Sequence, residues 1–580
     1  MANIMSLANV RNKVSRSGFD LSRRSCFTSK VGELLPVWWQ FILPGDSAQI
    51  QLQSFVRTMP VNTASFGRIR EYYDFFFVPL SQLWNKAPQV LTQMNDNVQH
   101  ANGLSGLTST NGELPSMPIS SINAVLGALQ NKDNLFGYSR QKLALKLLSY
   151  LGYGMPNGGD NLLVAPPNAA TVNLFPLLAY QKIYSDFFRY TQWESPNPST
   201  FNVDWMVGDG DTTLTSSQFN AYLDENTMFD LRYCNLQKDL FHGIMPRAQF
   251  GSESVVSLGS SDPDAYQQYF FAKTKTGGAV SSGAAYMYQT AQGNILRDGS
   301  NQNLPFIQIQ GSANQLSILA LRQAEALQRW KEVAMAAEED YKQQVEAHWN
   351  VSVSELLSGQ CRYLGGIDGN ISVNEVVNTN LVSGEATQPA DIAGKGIGSS
   401  TGSISFESQG EYGVIMCIYH ALPLLDYVTS GIDSKLLLTD ATTFPIPELD
   451  SVGMELLPVR ALTSSNITGR LGYVPRYLAF KTDYDRCFGE FARTLESWIL
   501  PFADDQVLLN SNNTADPDDN PNVPSEDTRV RYDFFKCNPA IVDPMFAHSA
   551  DETTATDCLW NQIFVKCYMT RNLDYNGLPY

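Results

Sequence analysis

The stretch Y-Y-D-F-F-F-V at residues 72–78, ended by Pro79, constrains the fold more than any other part of the chain. It is too short for a buried helix and apolar on both faces, so it reads as a strand covered on both sides. A second dense run, V-W-W-Q-F-I-L, begins at Val37 and closes on a Pro44-Gly45-Asp46 turn. Ile50, Leu52 and Val56 then alternate with Gln51, Gln53 and Arg57, the pattern of a half-buried strand. Strand texture returns late, at residues 371–377, 403–406, 412–419 and 563–569. The pattern predicts a mainly β chain with one barrel whose halves are far apart in sequence.

Helical spacing lies between those halves. Leu143, Leu147 and Leu151 recur every fourth residue over 140–151, and residues 174–190 have a similar apolar density. Both are expected to cover the barrel. From 315 to 349 a third helical region carries a stripe of Leu316, Leu319, Leu327, Trp330 and Val333, read as packing. Ser312 with Gln315 resembles a capping box for it, and Glu338, Glu339 and Asp340 mark a break. Residues 249–310 are rich in Ser, Gly, Ala, Gln and Asn, too polar for a core, and read as a surface-exposed insertion; a linker between two domains is the alternative.

Charge separates the termini from the rest. The net charge is −18 and charged residues make up only 17% of the chain, against roughly 25% in typical soluble proteins. That excludes a protein coated all over with nucleic acid, because phosphates would be repelled. A local basic face remains open. Residues 1–30 hold Arg11, Lys13, Arg16, Arg23, Arg24 and Lys30 against Asp20 alone, and read as an extended arm that orders only against a partner. The acid lies elsewhere, notably in a loop at 501–528 with Asp504, Asp505, Asp516, Asp518, Asp519, Glu526 and Asp527.

The segment A-G-K-G-I-G at 393–398 lacks the Gly five before its lysine and the Ser or Thr after it, so it is read as a Gly-rich turn and not a phosphate cradle. The five histidines show no H-E-x-x-H spacing, the eight cysteines form no C-x-x-C pair, and G-x-S-x-G is absent. Neighbouring acids such as Glu338 with Glu339 are the usual solvated pairs. The expectation is a non-enzyme with no metal and no cofactor, its cysteines reduced. No export signal or apolar run of about 18 residues occurs, so a protein made in a cytoplasm without a membrane association is expected.

Six segments, in order, carry a resemblance: Pro44-Gly45-Asp46; Phe75-Phe76-Phe77-Val78-Pro79 with Leu83-Trp84; Ala179-Tyr180-Gln181-Lys182-Ile183-Tyr184-Ser185-Asp186; Arg232-Tyr233-Cys234-Asn235 with Lys238-Asp239; Tyr363-Leu364-Gly365-Gly366; and Gly472-Tyr473-Val474-Pro475-Arg476-Tyr477. Together they resemble the major capsid proteins of microviruses, the tailless icosahedral phages with circular single-stranded DNA, in the gokushovirus-like and Bacteroides-associated branches.

The resemblance implies an eight-stranded viral jelly-roll barrel with long, partly helical inter-strand insertions, in a single domain over 35–580 preceded by a basic arm at 1–34 in the capsid interior. It further implies a homo-oligomer of sixty copies in a T=1 shell around a single-stranded DNA genome, assembled in the bacterial host cytoplasm. Expected partners are a small basic DNA-packaging protein, a pilot protein, a transient scaffolding protein, and a host-cell receptor met by the 249–310 loop. Arg11, Lys13, Arg16, Arg23 and Arg24 are the expected DNA contacts, with an inter-subunit tie as the alternative role of that arm. The alternative for the whole chain is a non-viral β-sandwich binding a carbohydrate or a surface.

Overall fold

The computed structural model describes residues 15–63, 65–92, 114–157, 162–164, 170–207, 214–219, 223–224, 226–252, 254, 287–289, 295–297, 318–377, 392–450, 452–464, 469–509, 530–546 and 557–575. Two compact units divide it, one formed by Met1–Ala248 with Met335–Tyr580 and the other by Gln249–Ala334.

The larger unit is built on one antiparallel sheet. Its strands are β1 (Ser17–Asp20), β2 (Arg23–Ser29), β3 (Leu35–Ile42), β4 (Ser47–Val61), β5 (Ile69–Pro79), β6 (Arg362–Val377), β7 (Ile392–Glu407), β8 (Gly413–Pro423) and β9 (Leu559–Arg571). Eight of them run in the order β1-β9-β4-β7-β6-β5-β8-β3, and β2 pairs with β9 beside β1. The barrel strands thus come from the two ends of the chain, as the apolar runs indicated, and each run expected to be a strand overlaps one, with Leu43 and Tyr412 just outside β3 and β8.

The sheet curls on itself in the manner of a jelly roll. Phe27 on β2 meets Tyr419 on β8 edge to face, with ring centroids 5.1 Å apart, although β9, β4, β7, β6 and β5 separate those strands in the hydrogen-bonded order. At one end the Pro44-Gly45-Asp46 turn joins β3 to β4, with Gly45 at a φ of 87° that favours glycine. The buried Asp46 carboxylate accepts from Leu43 N at 2.9 Å and forms an ion pair with Arg571 Nε of β9 at 3.1 Å, while Arg571 also donates to the Phe41 carbonyl of β3. One arginine therefore ties the last strand of the chain to the third. Inside, Trp38, Tyr73, Phe75, Phe77 and Phe406 pack with Leu52, Val56, Ile563 and Val565.

Helices cover one part of the sheet from outside. They are α1 (Ile119–Ala128), α2 (Arg140–Leu151) and α3 (Phe175–Ile183). The α2 helix begins where the leucine spacing placed it and ends at Gly152, whose φ of 90° allows Tyr153 N to reach back to Leu148 O at 3.0 Å. It packs on β3, where Trp39 Nε1 donates to Leu151 O at 3.0 Å. All nine residues of α3 are buried against β5 and β8, and the helix loosens into a π turn at Tyr184–Phe188 that lays Phe187 and Phe188 over Phe76. This is why residues 72–78 are apolar on both faces.

Two expectations are corrected here. The glycine-rich segment 393–398 is not a turn but the first half of β7, paired with β6 and β4. Glycine is needed because side chains of adjacent strands lie over the backbone: a Cβ at Gly396 would meet Thr58 Cγ2 at 2.4 Å, and one at Gly402 would meet Ile367 Cγ1 at 2.6 Å. The basic segment is not wholly an unpaired arm either, because residues 17–20 and 23–29 are strands added to β9 of the same chain. Alternating Phe27 and Ser29, both buried, supply the inward face that makes this pairing favourable.

In the smaller unit, α4 (Ile318–Ala336) is bound at its own end of the segment: Phe250 N donates to Lys331 O at 3.1 Å, and Lys331 Nζ to Ser252 O at 2.6 Å. Met287–Gln289 pairs with Ile295–Arg297. The stripe read as packing is exposed at Leu319, Leu327 and Trp330. The break after it falls as expected, with Asp340 capping α5 (Tyr341–Trp349) through Lys342 N. Leu316, Ser312 and Gln315 lie outside the described residues, as do most of 249–310 and residues 510–528 of the acidic loop. Among the described residues no helix is long and apolar enough to cross a membrane, and no group of His, Cys, Asp or Glu is arranged to hold a metal ion.

Candidate nucleic-acid interface

Among the described residues, no helix covers the outer face of β9, β4 and β7. On β4 every second residue from Gln49 to Arg57 is exposed, and β9 alternates in the same way from Trp560 to Phe564. Register places the two sets side by side: Trp560 opposite Arg57, Gln562 opposite Phe55, Phe564 opposite Gln53, Lys566 opposite Gln51 and Tyr568 opposite Gln49. On the far side of β9, Arg24 of β2 stands opposite Phe564 and donates to Gln562 Oε1 at 3.1 Å. On the far side of β4, Ile397 of β7 stands opposite Arg57.

This face mixes large rings with fixed positive charge. Phe55, Trp560, Phe564 and Tyr568 are 37–48% exposed, high for aromatic side chains on a folded sheet. The Arg57 guanidinium lies 5.1 Å from the Phe55 ring centre, and Lys566 Nζ the same distance from Tyr568. Trp560, Phe564 and Tyr568 recur every fourth residue, about 13 Å apart along the strand. The nearest exposed acids, Asp20 on β1, Asp368 on β6 and Glu407 at the end of β7, stand at its borders. In a chain of net charge −18 this is a local positive, ring-bearing surface. Rings offer every base a stacking partner and the amides and cations offer donors to phosphate, so such a face suits single strands without sequence preference.

The expected DNA contacts divide. Arg11 and Lys13 lie outside the described residues. Arg16 donates to Gly45 O and Ser47 Oγ, both at 3.3 Å, at the β3–β4 turn. Arg23 stands opposite the inward Val565 and Arg24 opposite the outward Phe564, both of them with exposed side chains at the sheet edge. Arg24 alone of these is shown on the open face. The residues missed from sequence are Phe55, Arg57, Trp560, Phe564, Lys566 and Tyr568. A signal existed in W-N-Q-I-F-V-K-C-Y at 560–568, where Ile563, Val565 and Cys567 alternate with large exposed rings.

Comparison with known proteins then assigns the chain. The profile of the phage family described as capsid protein (F protein) matches residues 8–131 and 162–507. The chain belongs to this phage capsid protein family. Two curated relatives agree: capsid protein VP1 of Bdellovibrio phage phiMH2K is 22% identical over 509 residues, covering 84% of this chain and 85% of the relative. Capsid protein VP1 of Chlamydia phage 1 is 21% identical over 471 residues, 71% of this chain and 72% of the relative. The chain is thus a major capsid protein of a microvirus, a structural component of the virion that assembles into the shell, and a non-viral β-sandwich binding module is not favoured.

Proposed function

We propose that about sixty copies of this chain close a T=1 shell around a circular single-stranded DNA genome, with the open face of β9, β4 and β7 turned inward to the DNA. The carrying observation is the coincidence of four exposed rings with Arg24, Arg57 and Lys566 on one uncovered sheet face of an acidic protein. The basic N-terminal segment enters on that side, since β1 and β2 flank β9. Arg11, Lys13 and Arg16 would add phosphate contacts ahead of β1, and Arg23 and Arg24 at its edge. A small basic packaging protein shares the neutralisation, a pilot protein completes the virion, and scaffolding assists assembly in the bacterial cytoplasm. The insertion at 249–310 and the acidic loop at 501–528 face solvent, the former towards a host receptor. No catalytic step is part of this role.

The test is binding of single-stranded DNA as a function of salt. Replacing Arg24, Arg57 and Lys566 together by Gln should lower the log–log salt slope by about 0.7 for each lost phosphate contact. An unchanged slope and an unchanged DNA content of particles would refute the inward reading and leave this face as a contact between subunits. Limited proteolysis of intact particles should cut within 249–310 first; protection there, with cleavage elsewhere, would refute the outward reading of that insertion.

A further inference from the structure

Away from the open face, Asn235 and Lys536 stand opposite each other where the 231–236 and 532–537 segments pair antiparallel, flanked by Leu236 N to Phe535 O at 2.8 Å and Cys537 N to Cys234 O at 3.0 Å. Opposed residues in such a pair project from the same side. The two side chains converge on one acceptor: Asn235 Nδ2 and Lys536 Nζ donate to the Phe188 carbonyl at 3.1 and 3.3 Å.

The surroundings are unusual for a lysine. Lys536 is 4% exposed and its two acceptors are the backbone carbonyls of Phe188 and Tyr233, not carboxylates. Its Nζ lies 4.8 Å from the ring centre of Tyr184 and 5.3 Å from that of Tyr532. Both hydroxyls donate to Oε2 of Glu194, Tyr184 at 2.7 Å. Burial lowers Lys536 to about 8, with Glu194 opposing and Arg232 and Arg189 adding to the depression. Burial would raise Glu194, but the charges of Lys536 and Arg232 and the two hydroxyls hold it below its ordinary value. Asn235 Oδ1 is buried and accepts no hydrogen bond among the described residues. An amine able to lose its proton near neutrality, a carboxamide beside it and a half-buried carboxylate nearby are the parts of an amide exchange.

We infer that Asn235 and Lys536 form an intramolecular isopeptide bond in the folded chain. The neutral Nζ attacks Cγ of Asn235; the Nζ–Cγ bond forms and the Cγ–Nδ2 bond breaks. The proton shed by Nζ passes to Nδ2, which leaves as ammonia, while the Glu194 carboxylate, held by the Tyr184 and Tyr532 hydroxyls, supports the positive charge as it is transferred. No oxidant or cofactor is required. The bond would join two segments some three hundred residues apart and close a covalent loop around the barrel's covered side, independently of any DNA contact.

Denaturing mass spectrometry of the chain from purified particles tests this. The expected mass is lower than that of the sequence by one ammonia, about 17 Da, and digestion yields one branched fragment joining the peptides of Asn235 and Lys536. Lys536→Arg restores the full mass. Asn235→Asp gives the same link with loss of water, and Glu194→Gln leaves both partners unlinked. A chain at full sequence mass with both peptides free overturns the inference, as does a deficit that survives Lys536→Arg. The native chain decides the matter even where a variant does not fold.

Discussion

The two halves of the sheet share one hydrogen-bonded ladder and differ in what lies outside it. In the half formed by β3, β8 and β5, burial reaches both faces along β8, all eleven residues of which are buried, and along residues 75–79 of β5, with Phe75 and Tyr419 inward and Phe76 and His420 under α3 and its π turn. In the β9, β4 and β7 half the inward face is as apolar, through Ile50, Leu52, Val56, Ile563 and Val565, but the outward face meets solvent. Burial on one side suffices to hold a strand. The second face of a strand is then free to be spent on recognition, and in this chain it carries rings and cations where a merely solvated face would carry charge pairs.

The comparison breaks most readily by truncating rings in each half. Trp38→Ala or Phe75→Ala should cost about 3–5 kcal/mol in urea unfolding of the dissociated chain, because each leaves a cavity in a two-sided core. Phe564→Ala should change stability by about 0.5 kcal/mol or less. Equal losses would mean that the outer face of β9 is covered within the chain itself. Next in size is the buried ion pair on the covered side, where Lys146 Nζ of α2 lies 2.7 Å from Glu33 Oε2 and 3.0 Å from Asp557 Oδ2. Glu33 is 1% exposed, so Lys146→Met strands its charge, and a loss of about 3 kcal/mol is expected from the same unfolding curve.

The open half should respond in binding where the covered half responds in stability. Trp560→Ala should weaken single-stranded DNA binding by about 1–3 kcal/mol with little change in unfolding. A variant that binds normally would remove the stacking role of this face. The smallest effect is a dependence on pH confined to the covered half. Burial holds His420 at about 4, below its ordinary 6.5, so its share of stability is present above pH 6.5 and lost as the pH falls towards 4. Its neighbour Asp74, with Oδ2 at 3.8 Å from His420 Nδ1, is raised by burial to about 6 and acts oppositely, its share being lost as the pH rises through 6. His420→Phe should flatten the acid limb of the stability curve by on the order of 1 kcal/mol, measured by denaturation between pH 4 and 7.

Reading these elements from sequence succeeded where a local pattern is sufficient. The alternation of Ile50, Leu52 and Val56 with Gln51, Gln53 and Arg57 gives both the strand and its buried face. The leucines of α2 and the break at Asp340 are likewise local, since helix spacing and capping involve residues three or four apart. Reading failed where the deciding neighbour is remote. Glycines at 394, 396 and 398 suggest a turn on their own, and only Thr58 and Ile371, brought alongside by β4 and β6, make them a strand. Arg23 and Arg24 read alike in sequence, yet pairing with Val565 and Phe564 sends one towards the barrel and the other to the open face.

By itself, then, the sequence determined that this chain is mainly β, that its barrel comes from its two ends, and, through six ordered segments, which capsid family it resembles. Those properties follow from the period of apolar residues and from turn chemistry, which act within a few residues. Tertiary structure decided which strand faces stay open, because exposure depends on whether a helix from the middle of the chain lands on them. It also decided that β2 belongs to β9, and that Asn235 and Lys536 stand opposite each other on one carbonyl. Register across hundreds of residues sets those meetings, and no local pattern encodes it.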